Sequence, residues 1–228
     1  MNWFDTLRDT FIEDSRYMWL VEGLGNTLII TLGALLIGVV IGAIIAVTKY
    51  FTEGNKKLRF LSWLCDLYTT VIRGIPVTVL LLICFYIIFA SAKDGVPVAI
   101  VAFGINSGAY MAELIRSGIN AVDKGQMEAA RSLGLSKGQA MVKVIFPQAI
   151  KNILPAIGNE LIALLKETSV AGYVAVVDVT RAATNIRNKT FDAVNPLIAL
   201  AIIYLVMVVI LTRLLTILER RLRKSDGK

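Results

Sequence analysis

Long apolar runs without charge alternate along the chain with short connectors that hold most of the charged residues. A helix needs about 20 predominantly apolar residues to cross the hydrocarbon core of a bilayer. Four uncharged runs meet this requirement: residues 27–48, 74–92, 95–112 and 193–212. A fifth, residues 153–177, has the length but is interrupted by Glu160, Lys166 and Glu167. The pattern predicts an all-α integral membrane protein with about five transmembrane helices.

The predicted transmembrane domain covers residues 23–218, preceded by residues 1–22 and followed by a basic tail, residues 219–228. The first 22 residues hold five acidic residues against two arginines, unlike the basic start of a secretory signal peptide. Apolar side chains, aromatic ones among them, recur every four residues in this segment, and aromatic rings are favoured at the membrane interface. We therefore expect a short helix lying in the outer interface.

Basic residues concentrate in every second connector. Lys and Arg are frequent in residues 49–59, 124–151 and 213–224, whereas the basic residues of the alternate connectors are diluted by acids. Cytoplasmic connectors of membrane proteins carry the excess of Lys and Arg. With an odd number of spans, this pattern predicts an external N-terminus and a cytoplasmic C-terminus.

Composition excludes several classes of function. The net charge of +7 comes from residues at the ends of apolar runs, and not from one basic face that would bind nucleic acid. The sequence has no histidine, and its two cysteines lack a CxxC spacing. This removes the common catalytic triads and zinc motifs. We predict no catalytic residue, no metal ligand and no cofactor.

Turn signals divide the connector at residues 121–147 into two short helices. Asp123 with Gln126 has the spacing of a capping box, in which two side chains satisfy free N–H groups at the start of a helix. Ser136 with Gln139 repeats this spacing.

Gly134 lies between these two starts, at a place where glycine commonly takes the left-handed conformation that ends a helix. We expect the two helices to join at Gly134 and Leu135, and the second to stop at Pro147. An ordered helical hairpin of this length exceeds what a connector needs. It predicts a docking surface.

This stretch resembles the EAA loop of the permeases of ATP-binding-cassette (ABC) importers. Glu128-Ala129-Ala130 is followed at the family's spacing by Gly134 and Pro147. Val144 and Phe146 replace the usual isoleucine and leucine, and both replacements stay apolar. In that family the loop is a coupling helix that lies in a cleft of the ATP-hydrolysing subunit.

Other stretches resemble the polar amino-acid branch of the family, the histidine-, glutamine- and arginine-type permeases. They are Arg73-Gly74-Ile75-Pro76, Ala109-Tyr110-Met111-Ala112-Glu113, Lys124-Gly125-Gln126, Gly158-Asn159-Glu160 and Leu164-Leu165-Lys166-Glu167-Thr168-Ser169. The resemblance implies the type I ABC importer permease architecture in a bacterial inner membrane. It also implies that the chain helps to move polar amino acids into the cell.

The resemblance assigns the ATPase-coupling contact to six residues: Glu128, Ala129, Ala130, Arg131, Gly134 and Leu135. It implies as partners two ATP-binding-cassette ATPase subunits, a second permease copy or a paralogue, and an extracytoplasmic substrate-binding protein. The sequence has no Walker-type phosphate-binding motif, so we expect ATP hydrolysis in a partner chain and not in this one. The alternative is a folded loop without a partner.

Polar and charged residues inside the predicted spans recur at helical spacing. A charge in the membrane core costs roughly 2.5–3.5 kcal/mol on insertion scales, so such residues usually face a cavity or a partner. Three sets each share a helix face: Asp66, Thr70 and Arg73; Asn106, Tyr110 and Glu113; and Glu160 with Glu167. We predict a substrate path lined by Glu160, Asp66, Thr70, Arg73 and Tyr110. The resemblance makes Glu160 the first choice for a substrate contact.

Structural roles are the alternative for each of these residues. Asp66 and Arg73 lie near the end of a span, from which their side chains can extend to the interface. Glu113 can pair with Arg116, and Glu167 can pair with a neighbouring subunit.

Two other functions compete with this interpretation. A self-contained secondary transporter also has membrane carboxylates, but it normally needs more helices and an internal repeat. An intramembrane protease would need a paired nucleophile and base. Among ABC permeases, those for methionine or phosphonate are alternatives. The sequence leaves open which amino acid is carried, and whether two copies or two related permeases pair.

Overall fold

The computed structural model describes residues 3–52 and 56–224, and every regular element in this part of the chain is helical. Residues 1–2 of the N-terminal segment and residues 225–228 of the basic tail lie outside the described residues. The α-helices are α1 (Trp3–Leu7), α2 (Tyr17–Thr52), α3 (Arg59–Gly74), α4 (Val77–Ile83), α5 (Gly95–Asn120), α6 (Lys124–Ser132), α7 (Lys137–Ala140), α8 (Phe146–Glu167), α9 (Val179–Thr190) and α10 (Asn195–Lys224).

The expectation of about five spans is confirmed. Four helical runs in the described part are long and apolar enough to cross a membrane: Tyr17–Thr52, Gly95–Asn120, Lys137–Val174 and Asn195–Leu222. A fifth is a broken pair, Arg59–Gly74 with Val77–Ile88, which is bent by 105° at the break. The second span therefore begins earlier in the chain than its uncharged run suggests.

The bend in the second span lies at Gly74-Ile75-Pro76. A residue before proline is pushed out of the helical region by the proline ring. Ile75 accordingly has φ −99° and ψ 129°. The chain resumes as a helix at once, because the Pro76 carbonyl accepts from the N–H groups of Val79 and Leu80 at 2.9 and 3.1 Å.

The small residues of α2 pack against α5. A Cβ atom added to Gly38 would come within 2.7 Å of Ser107 Oγ, and one at Gly42 would overlap Met111. The approach is reciprocal, since a Cβ atom at Gly104 of α5 would lie 2.7 Å from the side chain on α2 that faces it. The GxxxG spacing of α2 thus serves contact between two helices of one chain.

The central core joins α2, α4, α5 and the end of the fourth span. Its fully buried apolar members include Ile30, Leu81, Phe103, Leu164 and Val174. This core holds α5 in the middle of the bundle, which matters because α5 carries the polar residues described below.

One end of the bundle gathers the N-terminal segment, α9 and the start of α10. Thr10 Oγ1 donates to Asp192 Oδ2 at 2.7 Å, and Lys189 Nζ lies 3.0 Å from Asp14 Oδ2. The hydrogen bond from Lys189 holds the pKa of Asp14 below its usual value. Asp178 caps α9 by accepting from the N–H groups of the first turn, and burial raises its pKa. The predicted N-terminal helix is present, whereas α9 was not predicted.

The opposite end holds the loop of residues 121–147. The 36-residue α2 separates the two ends. At its far end Lys49 forms an ion pair with Asp66 of α3, and Lys137 Nζ lies 5.0 Å from the centroid of the Tyr50 ring. Lys49 and Lys137, which belong to two of the basic connectors that the charge pattern assigns to one side, therefore lie at the same end of the bundle.

The predicted stop at Pro147 is wrong. The helix that begins at α7 continues through a π-helical turn, Met141–Ile145, directly into α8. Pro147 falls in the first turn of α8, where the missing N–H of proline costs little. The Phe146 N–H bonds to the Met141 carbonyl across the π-turn. The 121–147 loop thus contains one separate helix, α6, and then the start of the fourth span, which begins at α7.

Candidate coupling loop and transport path

The start of α6 is capped by Asp123, which accepts from the Gly125 N–H at 2.6 Å. The predicted reciprocal bond from Gln126 is wrong, because the Gln126 side chain instead accepts from Gln148 Nε2 at 3.2 Å. That bond ties α6 to α8. The helix is therefore attached to the fourth span at its first turn.

The end of α6 is a complete Schellman motif. Gly134 has φ 86°, and its N–H donates to the Arg131 carbonyl at 3.0 Å. The Leu135 N–H donates to the Ala130 carbonyl at 3.2 Å. The Arg131 guanidinium also donates to the Leu135 carbonyl at 3.1 Å. The predicted left-handed position of Gly134 is confirmed.

The chain re-enters a helix at the predicted capping box. The Gln139 N–H donates to Ser136 Oγ at 3.2 Å, and the Ser136 N–H donates to Gln139 Oε1 at 2.9 Å. Capping at both helix starts and the Schellman motif between them fix the shape of the 121–147 loop.

The loop displays an exposed surface of fixed shape. Glu128 and Ala129 are exposed, whereas Ala130 is only 4% exposed and packs inward. Leu133 is 84% exposed at the tip. Small side chains beside an exposed leucine allow another protein to approach the helix closely. This arrangement is suited to docking.

The first part of the predicted path lies between α5 and α8. Ser107 Oγ donates to Glu160 Oε1 at 3.0 Å, and Asn106 Nδ2 donates to Glu167 Oε2 at 3.5 Å. Asn106 and Ser107 are 4% and 0% exposed. Two carboxylates two helical turns apart on α8 therefore face adjacent polar residues of α5.

Arg73 and Tyr110 meet one helical turn further along α5 than Asn106. The Arg73 guanidinium carbon lies 5.3 Å from the centroid of the Tyr110 ring, a distance typical of a cation–π contact. Arg73 stands at the end of α3, directly before the bend, and Thr70 is exposed one turn earlier on the same helix. Tyr110 follows Asn106 by one turn of α5. The Arg73–Tyr110 contact and the Asn106–Glu167 contact therefore lie one turn apart along that helix.

Asp66 does not join these residues. It pairs with Lys49 of α2, which gives its charge a structural partner near the end of the bundle. Glu113 likewise pairs with Arg116 at 2.9 Å. Of the predicted path residues, Glu160 contacts Ser107 of α5, and Arg73 contacts Tyr110, which is itself part of α5.

Two contacts in the structure cannot be predicted from the sequence pattern. Ser107 is one partner, and a serine in an apolar span has no periodic signal that tells which helix it faces. The Lys49–Asp66 pair links residues on different helices, so spacing within one helix cannot find it. No group of three metal-ligating side chains is present among the residues that the structure describes.

The chain matches a family of known proteins over most of its length. Residues 20–224 match the family described as binding-protein-dependent transport system inner membrane component. The chain is 39% identical over 211 residues to the arginine transport system permease protein ArtQ of Bacillus subtilis (strain 168), which covers 91% of this chain and 94% of that protein.

Solved structures share the fold. A crystal structure of an amino acid ABC transporter with histidines has a TM-score of 0.83 and 42% identity, covering 92% of this chain and 98% of that chain. An inward-facing structure of the MetNI methionine ABC transporter has a TM-score of 0.78 at 21% identity, covering 90% and 97%. At that identity the second match is a likeness of fold alone. The chain belongs to the family of binding-protein-dependent transport system inner membrane components.

Proposed function

We propose that the chain is the permease subunit of an ABC importer that moves polar amino acids into a bacterial cell. The observation that carries this proposal is the capped, exposed 121–147 loop at one end of a five-span bundle. Family membership and the likeness to an amino acid ABC transporter support it. The likeness to a methionine transporter concerns the fold and favours no second substrate.

The loop would dock on an ATPase subunit, with Glu128, Ala129, Ala130, Arg131, Gly134 and Leu135 at the contact. The chain has no Walker-type motif of its own, so two ATPase subunits would supply the energy. Movement of a docked α6 would pass to α8 through the Gln126–Gln148 bond and the continuous helix that starts at α7. The loop would then transmit the movement of the ATPase subunit to the fourth span.

The orientation follows from charge. The basic connectors and the 121–147 loop lie at one end, which we assign to the cytoplasm by the positive-inside rule. The N-terminal segment and α9 would then face outward and meet a substrate-binding protein. Two permease chains would enclose the path between them, because five spans form a poor enclosure alone.

The substrate would pass along the polar side of α5. An amino acid carries an ammonium and a carboxylate, and each needs an opposite charge in a membrane interior. Glu160, with Glu167 beside it, would meet the ammonium or a cationic side chain. Arg73, held against Tyr110, would meet the carboxylate. Thr70 and Asp66 would stand toward the cytoplasmic end.

The test is uptake by the purified complex in proteoliposomes that enclose ATP. We expect uptake of a labelled polar amino acid that requires ATP and the binding protein, and that other polar amino acids inhibit. Empty liposomes and a complex with a non-hydrolysable nucleotide are the controls. Uptake driven by an ion gradient in the absence of ATP would contradict the proposal and favour a secondary transporter.

A further inference from the structure

A deep apolar groove opens between α2, α5 and the helical run from α7 into α8, at the end that holds the 121–147 loop. Its volume is about 580 Å³, within the range of roughly 300–1,000 Å³ typical of ligand pockets. The small side chains of Ala43 and Ala46 on α2 leave this space. The side chains that line the groove carry no charge, and the Tyr50 hydroxyl is their one polar group.

The groove opens sideways on the surface of the membrane-spanning helices. Val47 and Phe51 of α2 line it on one side, and Val142 and Phe146 line it on the other. All four side chains are exposed. Apolar side chains exposed on the spans of one chain face either lipid or a neighbouring span, and both surroundings are apolar. An acyl chain can therefore enter from the side without crossing a polar barrier.

A cation stands at the polar end of the groove. Tyr50 lines the groove, and Lys137 Nζ lies 5.0 Å from the centroid of its ring. Lys137 itself is exposed, and across residues 3–52 and 56–224 no carboxylate forms an ion pair with it. Its ammonium is available to a phosphate at the level of the headgroups. Basic residues in this position attract anionic lipids.

We propose that this groove binds one acyl chain of an anionic phospholipid, whose phosphate contacts Lys137. The positive charge of Lys137 favours a lipid over a second copy of the chain as the occupant of the groove, because an apolar helix of another copy would gain nothing from the Lys137 ammonium. The π-turn Met141–Ile145 forms part of the wall. A bound lipid therefore contacts both α2 and the helical run from α7 into α8, and it holds the two together. The strength of this contact depends on the lipid composition of the membrane.

The test uses the assembled transporter in lipid nanodiscs with a trace of photoactivatable phosphatidylglycerol, whose reactive group is on the acyl chain. We expect the label on peptides from residues 39–51 and 141–157. Lys137→Gln should lower this labelling about five-fold, the effect expected for one basic residue near a membrane surface. Lys124→Gln removes a charge from the same end and should leave labelling unchanged.

A second pair of variants tests the groove itself. Ala43→Trp fills the space and should abolish the label, whereas Leu36→Trp, at an exposed position on the same helix, should not. If Ala43→Trp fails to elute as a monodisperse complex, Val142→Trp at the rim replaces it. Equal labelling by phosphatidylcholine and insensitivity to Lys137→Gln would overturn the proposal. Cross-linking between two copies through cysteines at position 142 would also overturn it, and would assign the groove to a second chain.

Discussion

Gly134→Val is expected to weaken docking of the ATPase, and with it ATP-driven uptake, by about 5- to 30-fold, while membrane insertion stays normal. Gly134 has φ 86°, and a side chain in the left-handed region costs roughly 1–2 kcal/mol, most for a β-branched residue. That strain acts on the bonds from Gly134 and Leu135 that end α6. The 121–147 loop would then adopt its docking shape less often. Uptake by the reconstituted complex at saturating ATP measures the effect.

Gly134→Asn is the matched control for this variant. Apart from Gly134 itself and its two chain neighbours, no described atom lies within 4 Å of a Cβ atom built on Gly134, so either side chain has room and only backbone strain differs. Asparagine tolerates the left-handed region. Gly138→Ala adds a side chain at an equally open glycine that has no positive φ. Uptake by Gly134→Val equal to that of both controls would contradict the coupling assignment.

Glu160→Gln is expected to raise the concentration of a cationic amino acid needed for half-maximal uptake on the order of 10- to 100-fold. Glutamine keeps the size of the side chain and the oxygen that accepts from Ser107 at 3.0 Å. It removes the charge, and a hydrogen bond to a charged group contributes about 1.5–3 kcal/mol. Concentration-dependent uptake of labelled arginine and of labelled glutamine measures the change for a charged and a neutral side chain.

Glu113→Gln supplies the comparison. Glu113 lies on the same predicted face of α5 as Tyr110, but its carboxylate pairs with Arg116 at 2.9 Å and stands apart from the Glu160–Ser107 contact. We expect its uptake kinetics to match the wild type. Unchanged kinetics in Glu160→Gln would leave Glu160 with a structural role, as the acceptor that holds Ser107 between α5 and α8.

The spans and the turns of the loop were predictable because their causes are local. An uncharged run long enough to cross a bilayer needs no information from the rest of the chain. The bend at Gly74-Ile75-Pro76 follows from the proline ring and its preceding residue. The left-handed Gly134 and the Ser136–Gln139 capping box likewise depend on a few neighbouring residues.

The remaining features depend on contacts between distant residues. Asp66 shares a helix face with Arg73, yet it pairs with Lys49 of another helix. Ser107 gains its role only because Glu160 faces it from α8. Helical spacing shows which residues share a face, but it does not show which neighbour that face meets.

The predictions at Pro147 and around α9 are wrong for a different reason. Proline can end a helix, but it is equally compatible with the first turn of one, and the π-turn before Pro147 allows α7 to continue into α8. The amphipathic α9 is short and polar, so hydropathy did not distinguish it from a connector.

The most direct test of the account is site-specific photo-cross-linking in native membranes from two exposed apolar positions at opposite ends of the bundle. Leu133 is 84% exposed at the tip of the 121–147 loop, and Phe191 is 92% exposed beside α9. A photoreactive residue at position 133 should capture a Walker-motif ATPase, and one at position 191 should not. Capture of that ATPase from position 191, or its absence from position 133 in a complex active in uptake, would contradict the account.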